Sequence, residues 1–158
     1  MKEMRRKDRQ MADNVARRLL EGAEFGILAT SDENNQPYGV PLNFVVYNDY
    51  IYIHSALVGH KLDNVKANEK ACFTVVGNSK AVYDEDYTSY FESVIVFGKA
   101  TIVEDDKEKV EALRALSKKY LPEFMDKFGD EMRKSFKETA MVKISIDKIT
   151  GKEKTPFN

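Results

Sequence analysis

Apolar residues recur in two rhythms along the chain, and each change of rhythm predicts a new element. From Asp8 to Glu21, Met11, Val15 and Leu19 stand four apart, with Ala12, Ala16 and Leu20 beside them. That spacing draws one apolar stripe down a helix, and Gly22 is a natural residue to end it. The period then shortens to two. "FGILAT" runs into the polar turn "SDENNQP", "YGVPLNFVVY" into the tight pair Asn48-Asp49, and "YIYIH" completes a meander of short antiparallel strands. Pro41, inside the second of these, implies an edge, a bulge or a ligand-facing backbone that does not need its donor. "KACFTVV" and the long "SVIVFGKATIV" are further strands, with Gly98 in the latter marking a bend or bulge.

Helical spacing returns after that. Asp105 and Glu108 predict a capping box for a helix through about Tyr120, with Val110, Leu113 and Leu116 on its apolar face. Pro122 suits the first turn of a second helical piece carrying Met125, Phe128 and Met132, and "MVKISIDKIT" predicts a final strand. Many short strands, one crossover helix and two peripheral helical regions describe an α+β protein built on a small antiparallel barrel.

Composition narrows the function classes. A chain of 158 residues supports one domain with a real core, spanning residues 1–158. Apolar residues make up 42% and charged residues 32%, and no apolar run approaches a membrane span. The basic start "MKEMRRKDRQMADN" lacks the apolar stretch of a secretory signal, so a cytoplasmic location is expected. A single cysteine, Cys72, excludes an intramolecular disulfide and a cysteine zinc site, and its strand position favours packing. Net charge is −1, from 25 basic and 26 acidic residues, which disfavours nucleic acid as a partner. The basic excess from Lys2 to Arg9 reads as exposed tail charge, and the acids of "DEDY" (Asp84 to Tyr87) as solvated loop residues. Neither a dinucleotide fingerprint nor a Walker loop is present.

One stretch carries candidate chemistry. In "IYIHSALVGHKLDNVKANEKACFTVV", a strand ends in His54-Ser55-Ala56, and Gly59-His60-Lys61 opens a short amphipathic segment. Both histidines of the chain fall here. A helix N-terminus presents unpaired N–H groups and the positive end of the macrodipole, which favour phosphate. Gly59 permits close backbone approach, Lys61 adds a cation, and Ser55 and His54 add polar groups at the strand end. Leu62 and Val65 would anchor the helix inward, and Asn68 would end it in a left-handed conformation. The same residues also suit an ordinary strand-to-helix connection, and spacing alone names no ligand.

Taken together and in order, several segments resemble the pyridoxamine 5′-phosphate oxidase-related family of FMN-binding split β-barrels, particularly its nitroimidazole-resistance (Nim-like) branch. They are "MRRKDRQM", "FGILATSDENNQPYGVPLNFVV", the stretch from Ile51 to Val76, "YFESVIVFGKATIV" and "ISIDKITGK". The segment from Asp105 to Lys137 contributes nothing specific. The resemblance implies a split barrel and a homodimer with FMN at the subunit interface. It implies a phosphate held by Ser55, Ala56, Gly59, His60 and Lys61. It also implies a flavin ring flanked by Pro41, Leu42 and Asn43 with His54 close by, and Ser93 touching the flavin, from either subunit. His54 or His60 would be the proton donor of a reductase acting on a small organic substrate. The vitamin B6 oxidases carry arginines around these strands, and "VPLNFVV" and "ESVIVFG" have none. A flavin carrier or sensor without turnover, or a deazaflavin- or haem-binding protein on the same barrel, are the alternative readings.

Overall fold

The computed structural model of the chain describes residues 3–83, 85 and 87–155. Four helices, α1 (Asp13–Gly22), α2 (His60–Ala67), α3 (Asp106–Tyr120) and α4 (Phe128–Ser135), accompany eight strands. The strands are β1 (Gly26–Ser31), β2 (Pro37–Leu42), β3 (Val45–Tyr47), β4 (Tyr50–Ala56), β5 (Lys70–Tyr83), β6 (Tyr87–Ile102), β7 (Thr139–Ser145) and β8 (Lys148–Lys154). All pairings are antiparallel. β2 pairs β1, β1 pairs β5, β5 pairs β6, and β8 lies along the other side of β6. The last residues of β6 leave that sheet and pair β7, which continues through β4 to β3. Two sheets thus share one strand, the architecture of a split barrel.

The shared strand changes partners over a few residues. β6 pairs β8 through Phe97 and β7 from Ala100 onward. Gly98 sits between, where a side chain is impossible, because a Cβ there would lie 1.7 Å from the Ser145 carbonyl oxygen. The crossing is fastened by the Lys99 N–H donating to Ser145 Oγ (2.9 Å) and the Asp147 N–H donating to the Phe97 carbonyl (3.0 Å). The same crossing corrects one sequence expectation. "MVKISIDKIT" is two strands, not one, because the ladder along β6 is interrupted at Ile146 and Asp147, between the Ile144–Ala100 pair of β7 and the Lys148–Phe97 pair of β8.

Alternation sorts side chains between two cores. Leu28, Phe73, Val75, Val94 and Val96 face Ile51, Ile53, Val142 and Ile144 across the barrel interior, joined by Phe44 edge-on to Phe73 at 4.7 Å. On the far side of β4 and β7, Tyr52 and Met141 pack under Leu113, Leu116 and Phe128 of α3 and α4. Alternate residues of one strand therefore serve different cores, which becomes important at His54 and Ser55.

The element ends differ in detail from the sequence reading. α1 begins at Asp13 rather than Asp8, because Lys7–Arg9 forms a 3-10 turn and Gln10 makes a β-bridge with Lys152. Met11 is buried as extended chain, its N–H on the Gly151 carbonyl, and not as a helical residue. Pro41 does lie on an edge strand, since β2 pairs only β1, and Asn48 and Asp49 both have positive φ, as a two-residue hairpin turn requires. Asn68 is extended (φ −148), so the left-handed helix end expected there does not form. Of the "DEDY" acids, Asp84 and Asp86 lie outside the described residues.

The capping box of α3 is only half present. Asp105 accepts from the Lys107 N–H, but Glu108 turns away and accepts from Tyr52 Oη (2.7 Å) and Lys143 Nζ (2.9 Å). That pins α3 to β4 and β7. Burial by itself would raise the Glu108 carboxyl, but hydrogen bonds from Lys143 and Tyr52 outweigh it and hold the group below the ordinary glutamate value. Burial and the bond to Glu108 push the Tyr52 phenol up.

Two outcomes follow for stability. Gly98→Ala should cost about 3 kcal/mol or more in urea unfolding, since the clash is with backbone that cannot rotate away. A near-neutral effect would mean the strands do not cross at that residue. At neutral pH Glu108→Gln should cost about 1–2 kcal/mol, a part-exposed pair being worth less than a buried one. A depressed folded pKa means the carboxylate's contribution is complete above the unfolded value of about 4.3 and fades as pH falls through the folded one. The gap between wild type and Glu108→Gln should therefore narrow as pH falls below about 4. A gap that stays constant with pH would contradict the ion pair.

Candidate functional site

The corner after β4 folds as the start of a helix. Gly59 caps α2 with φ +139, a conformation that side-chain-bearing residues rarely adopt, and no atom comes within 4 Å of where its Cβ would be. Its carbonyl accepts the Leu62 and Asp63 N–H groups, at 2.9 and 3.1 Å. No side chain caps the helix, so the first N–H groups face outward without an intrahelical acceptor. Lys61 is half-buried beside them, and burial alone pushes its ammonium down. Among the described residues it makes no ion pair. His60 tilts over Tyr38 of β2, ring centroids 4.1 Å apart.

Two asparagines hold this helix in place. Asn64, 1% exposed, donates from Nδ2 to Thr30 Oγ1 (3.1 Å), and Asn68 donates to Ser31 Oγ (2.9 Å). Leu62 and Val65 are buried in the barrel core, as their spacing predicted. The sequence reading missed Asn64 altogether. An asparagine on the apolar side of a short amphipathic segment, with a buried threonine on a neighbouring strand, was the available signal.

Strand alternation separates the histidines. Ser55 is buried with the parity of Ile51 and Ile53, on the barrel side of β4. His54 has the parity of Tyr52 and points to the α3 side, where it lines a cleft of about 390 Å³. The cleft also takes Asn43 from the end of β2, Leu116, Ser117 and Tyr120 from α3, Met132 from α4 and Thr139 from β7. Tyr120 locks one wall: its hydroxyl lies 2.6 Å from the Glu24 carbonyl and 2.8 Å from that of Phe44, and accepts from the Phe44 N–H at 3.0 Å.

The expected residues therefore divide into three places. Gly59, His60 and Lys61 form the helix start, with Ser55 and Ala56 closing the strand before it. Asn43 and His54 meet in the cleft, while Pro41 and Leu42 lie on β2 opposite Ile27 and Gly26. Ser93 joins neither group. It sits on the outer face of β6 opposite Val76 and Lys152, beside a separate depression with Ile95, Phe97 and Thr150. Cys72 is half-buried on that outer face, and burial pushes its thiol up, which suits packing rather than reactivity. Among the described residues no cluster of His, Cys, Asp or Glu is placed to hold a metal ion, and no helix is long and apolar enough to cross a membrane.

The split barrel defines a class of protein, and the comparisons with known proteins agree with it. The profile of the pyridoxamine 5′-phosphate oxidase family matches residues 13–153, and the chain belongs to that family. Among solved structures it is similar to a candidate 5-nitroimidazole antibiotic resistance protein of Bacteroides thetaiotaomicron, at 25% identity and TM-score 0.76. That match covers 91% of this chain and 86% of the other. An FAD-binding protein of Mycobacterium smegmatis matches at 26% identity and TM-score 0.63, over 92% of this chain and 96% of the other. A protein of the same organism that binds FAD and haem shares the fold at 19% identity and TM-score 0.76, over 92% and 73% of the two chains. No curated protein matches the chain.

Proposed function

We propose that the chain is a flavoprotein that holds FMN at the start of α2, between two copies of itself, and serves as an oxidoreductase for a small organic substrate. The observation that carries this is the α2 corner. An uncapped helix start, an open Gly59 with positive φ and a half-buried lysine without a carboxylate partner together suit a phosphate monoester. One helix end and one lysine match the single phosphate of FMN. The diphosphate of FAD, which the names of the mycobacterial relatives favour, is the second reading.

The second copy is supported by the outer face of the larger sheet. Ile27, Val76, Ile95 and Phe97 point there, with Ile27 38% and Val76 58% exposed. Ser93 lies on the same face, where it would reach a cofactor shared with the partner copy. A flavin bound here would supply hydride or single-electron transfer to the substrate. The chain's own part is to hold the phosphate at Gly59, His60 and Lys61, to border the ring with the Pro41–Asn43 backbone, and to offer the His54 imidazole as a proton donor in the adjoining cleft. The similarity to a nitroimidazole resistance protein supports a neutral organic acceptor.

Lys61→Ala should weaken FMN by about ten- to a hundredfold, the worth of a charge-assisted hydrogen bond of about 1.5–3 kcal/mol. Riboflavin, which has no phosphate, should be nearly unaffected in the same fluorescence titration. Lys66 lies in the last turn of α2 and is the control, so Lys66→Ala should change little. Equal losses for FMN and riboflavin, or from the two lysines, would return the corner to a plain connection. Turnover of pyridoxamine phosphate should be negligible, because the strands that carry arginines in the vitamin B6 oxidases have none here. Steady oxidation of that compound by FMN-loaded protein would contradict this.

A further inference from the structure

The cleft under α3 and α4 has the volume of a ligand pocket. About 390 Å³ lies in the lower part of the range for small-molecule sites. Its apolar wall comes from Leu113, Leu116, Leu121 and Met132. No lysine, arginine, aspartate or glutamate lines it. Two basic residues of the same helix are committed elsewhere. Lys119 Nζ donates to the Ala23 carbonyl and lies over the Phe44 ring, and Arg114 lies over the Phe128 ring.

The polar atoms of the cleft can be accounted for one by one. The Tyr120 hydroxyl is held by Glu24 and Phe44 backbone groups, Ser135 Oγ donates to the Glu131 carbonyl, and Thr139 Oγ1 donates to the Ser135 carbonyl. Asn43 spends Nδ2 on the Glu24 carbonyl, which leaves its Oδ1. Among the described residues, the His54 imidazole and the Ser117 hydroxyl make no hydrogen bond. Three polar groups from three different parts of the chain are therefore available to a guest, and none carries a fixed charge.

We infer that this cleft is the substrate site, and that it selects a small, flat, uncharged organic molecule with one or two polar atoms for His54, Ser117 and Asn43. An anion entering it would lose hydration and find no lysine or arginine in return, so charge is the basis of rejection. The inference rests on the proposed flavin reading only in placing the cofactor ring beside Asn43, which the cleft and the β2 segment share.

Two dyes and one helix position test it on the full chain. Prodan is flat, aromatic and neutral, and anilinonaphthalene sulfonate is of similar size but anionic. By fluorescence titration, prodan should bind wild type at least about tenfold more tightly than the sulfonate. Ser117→Trp should fill the cleft and weaken prodan by at least about tenfold, with FMN affinity unchanged within about twofold. Ser117→Ala, which cannot disturb packing, should weaken prodan by about two- to tenfold and covers the case in which the tryptophan variant fails to fold. Equal affinity for the two dyes, or indifference of prodan to Ser117→Ala and to a folded Ser117→Trp, overturns the inference. Loss of FMN binding on Ser117→Trp overturns it too, since the cleft would then seat the flavin itself, and leaves the flavoprotein reading standing. If wild type binds no FMN while prodan follows the pattern above, the flavin reading falls and the cleft assignment stands.

Discussion

The near-contact of two backbones at Gly98 and Ser145 governs the rest of the structure. A strand can belong to two sheets only if it turns from one to the other, and β6 does so where a carbonyl oxygen occupies the space of a Cβ. From that crossing, β7 and β4 are laid across the open side of the larger sheet, closing the inner core around Phe73, Val94 and Ile53. The same arrangement leaves the outward side chains of β4 and β7 free to seat α3. The barrel, the second core and the cleft are consequences of one exchange of partners.

Much of this was legible in the sequence. Six period-two stretches cover the eight strands, with "YGVPLNFVVY" and "MVKISIDKIT" each dividing into two, the Asn48-Asp49 pair located a hairpin, and of the three roles open to Pro41 the edge is the one that forms. Gly98 was readable as a bend, though not as a change of sheet, because periodicity says which face a residue takes and not which strand lies beside it. For the same reason "MVKISIDKIT" looked like one strand. Met11 shared the four-residue spacing of α1, but its burial comes from a β-bridge segment, and pattern alone does not separate the two.

The candidate site was legible in part, and again geometry explains the difference. Gly59, His60 and Lys61 are local in sequence and local in space, so their helix start could be foreseen. Their anchoring through Asn64 to Thr30 could not, since it joins residues 34 positions apart. His54 and Ser55 are neighbours in sequence yet face opposite sides of β4, one to the cleft and one to the barrel. The cleft itself depends on Leu116, Ser117 and Tyr120, which looked like an ordinary amphipathic helix. The Glu108 contacts with Tyr52 and Lys143, the packing of Leu113 and Leu116 on Tyr52 and Met141, and the Tyr120 hydroxyl together bring that helix over His54.

On the proposed function, the corner and the outer sheet face are parts of one site, completed by a second copy of the chain. Sedimentation velocity of the protein with FMN, followed at the visible absorption band of the flavin, examines both parts at once. Flavin absorbance should travel with a particle of two 18.1 kDa chains. Flavin that remains behind as free dye, or that travels with a single chain, would contradict it.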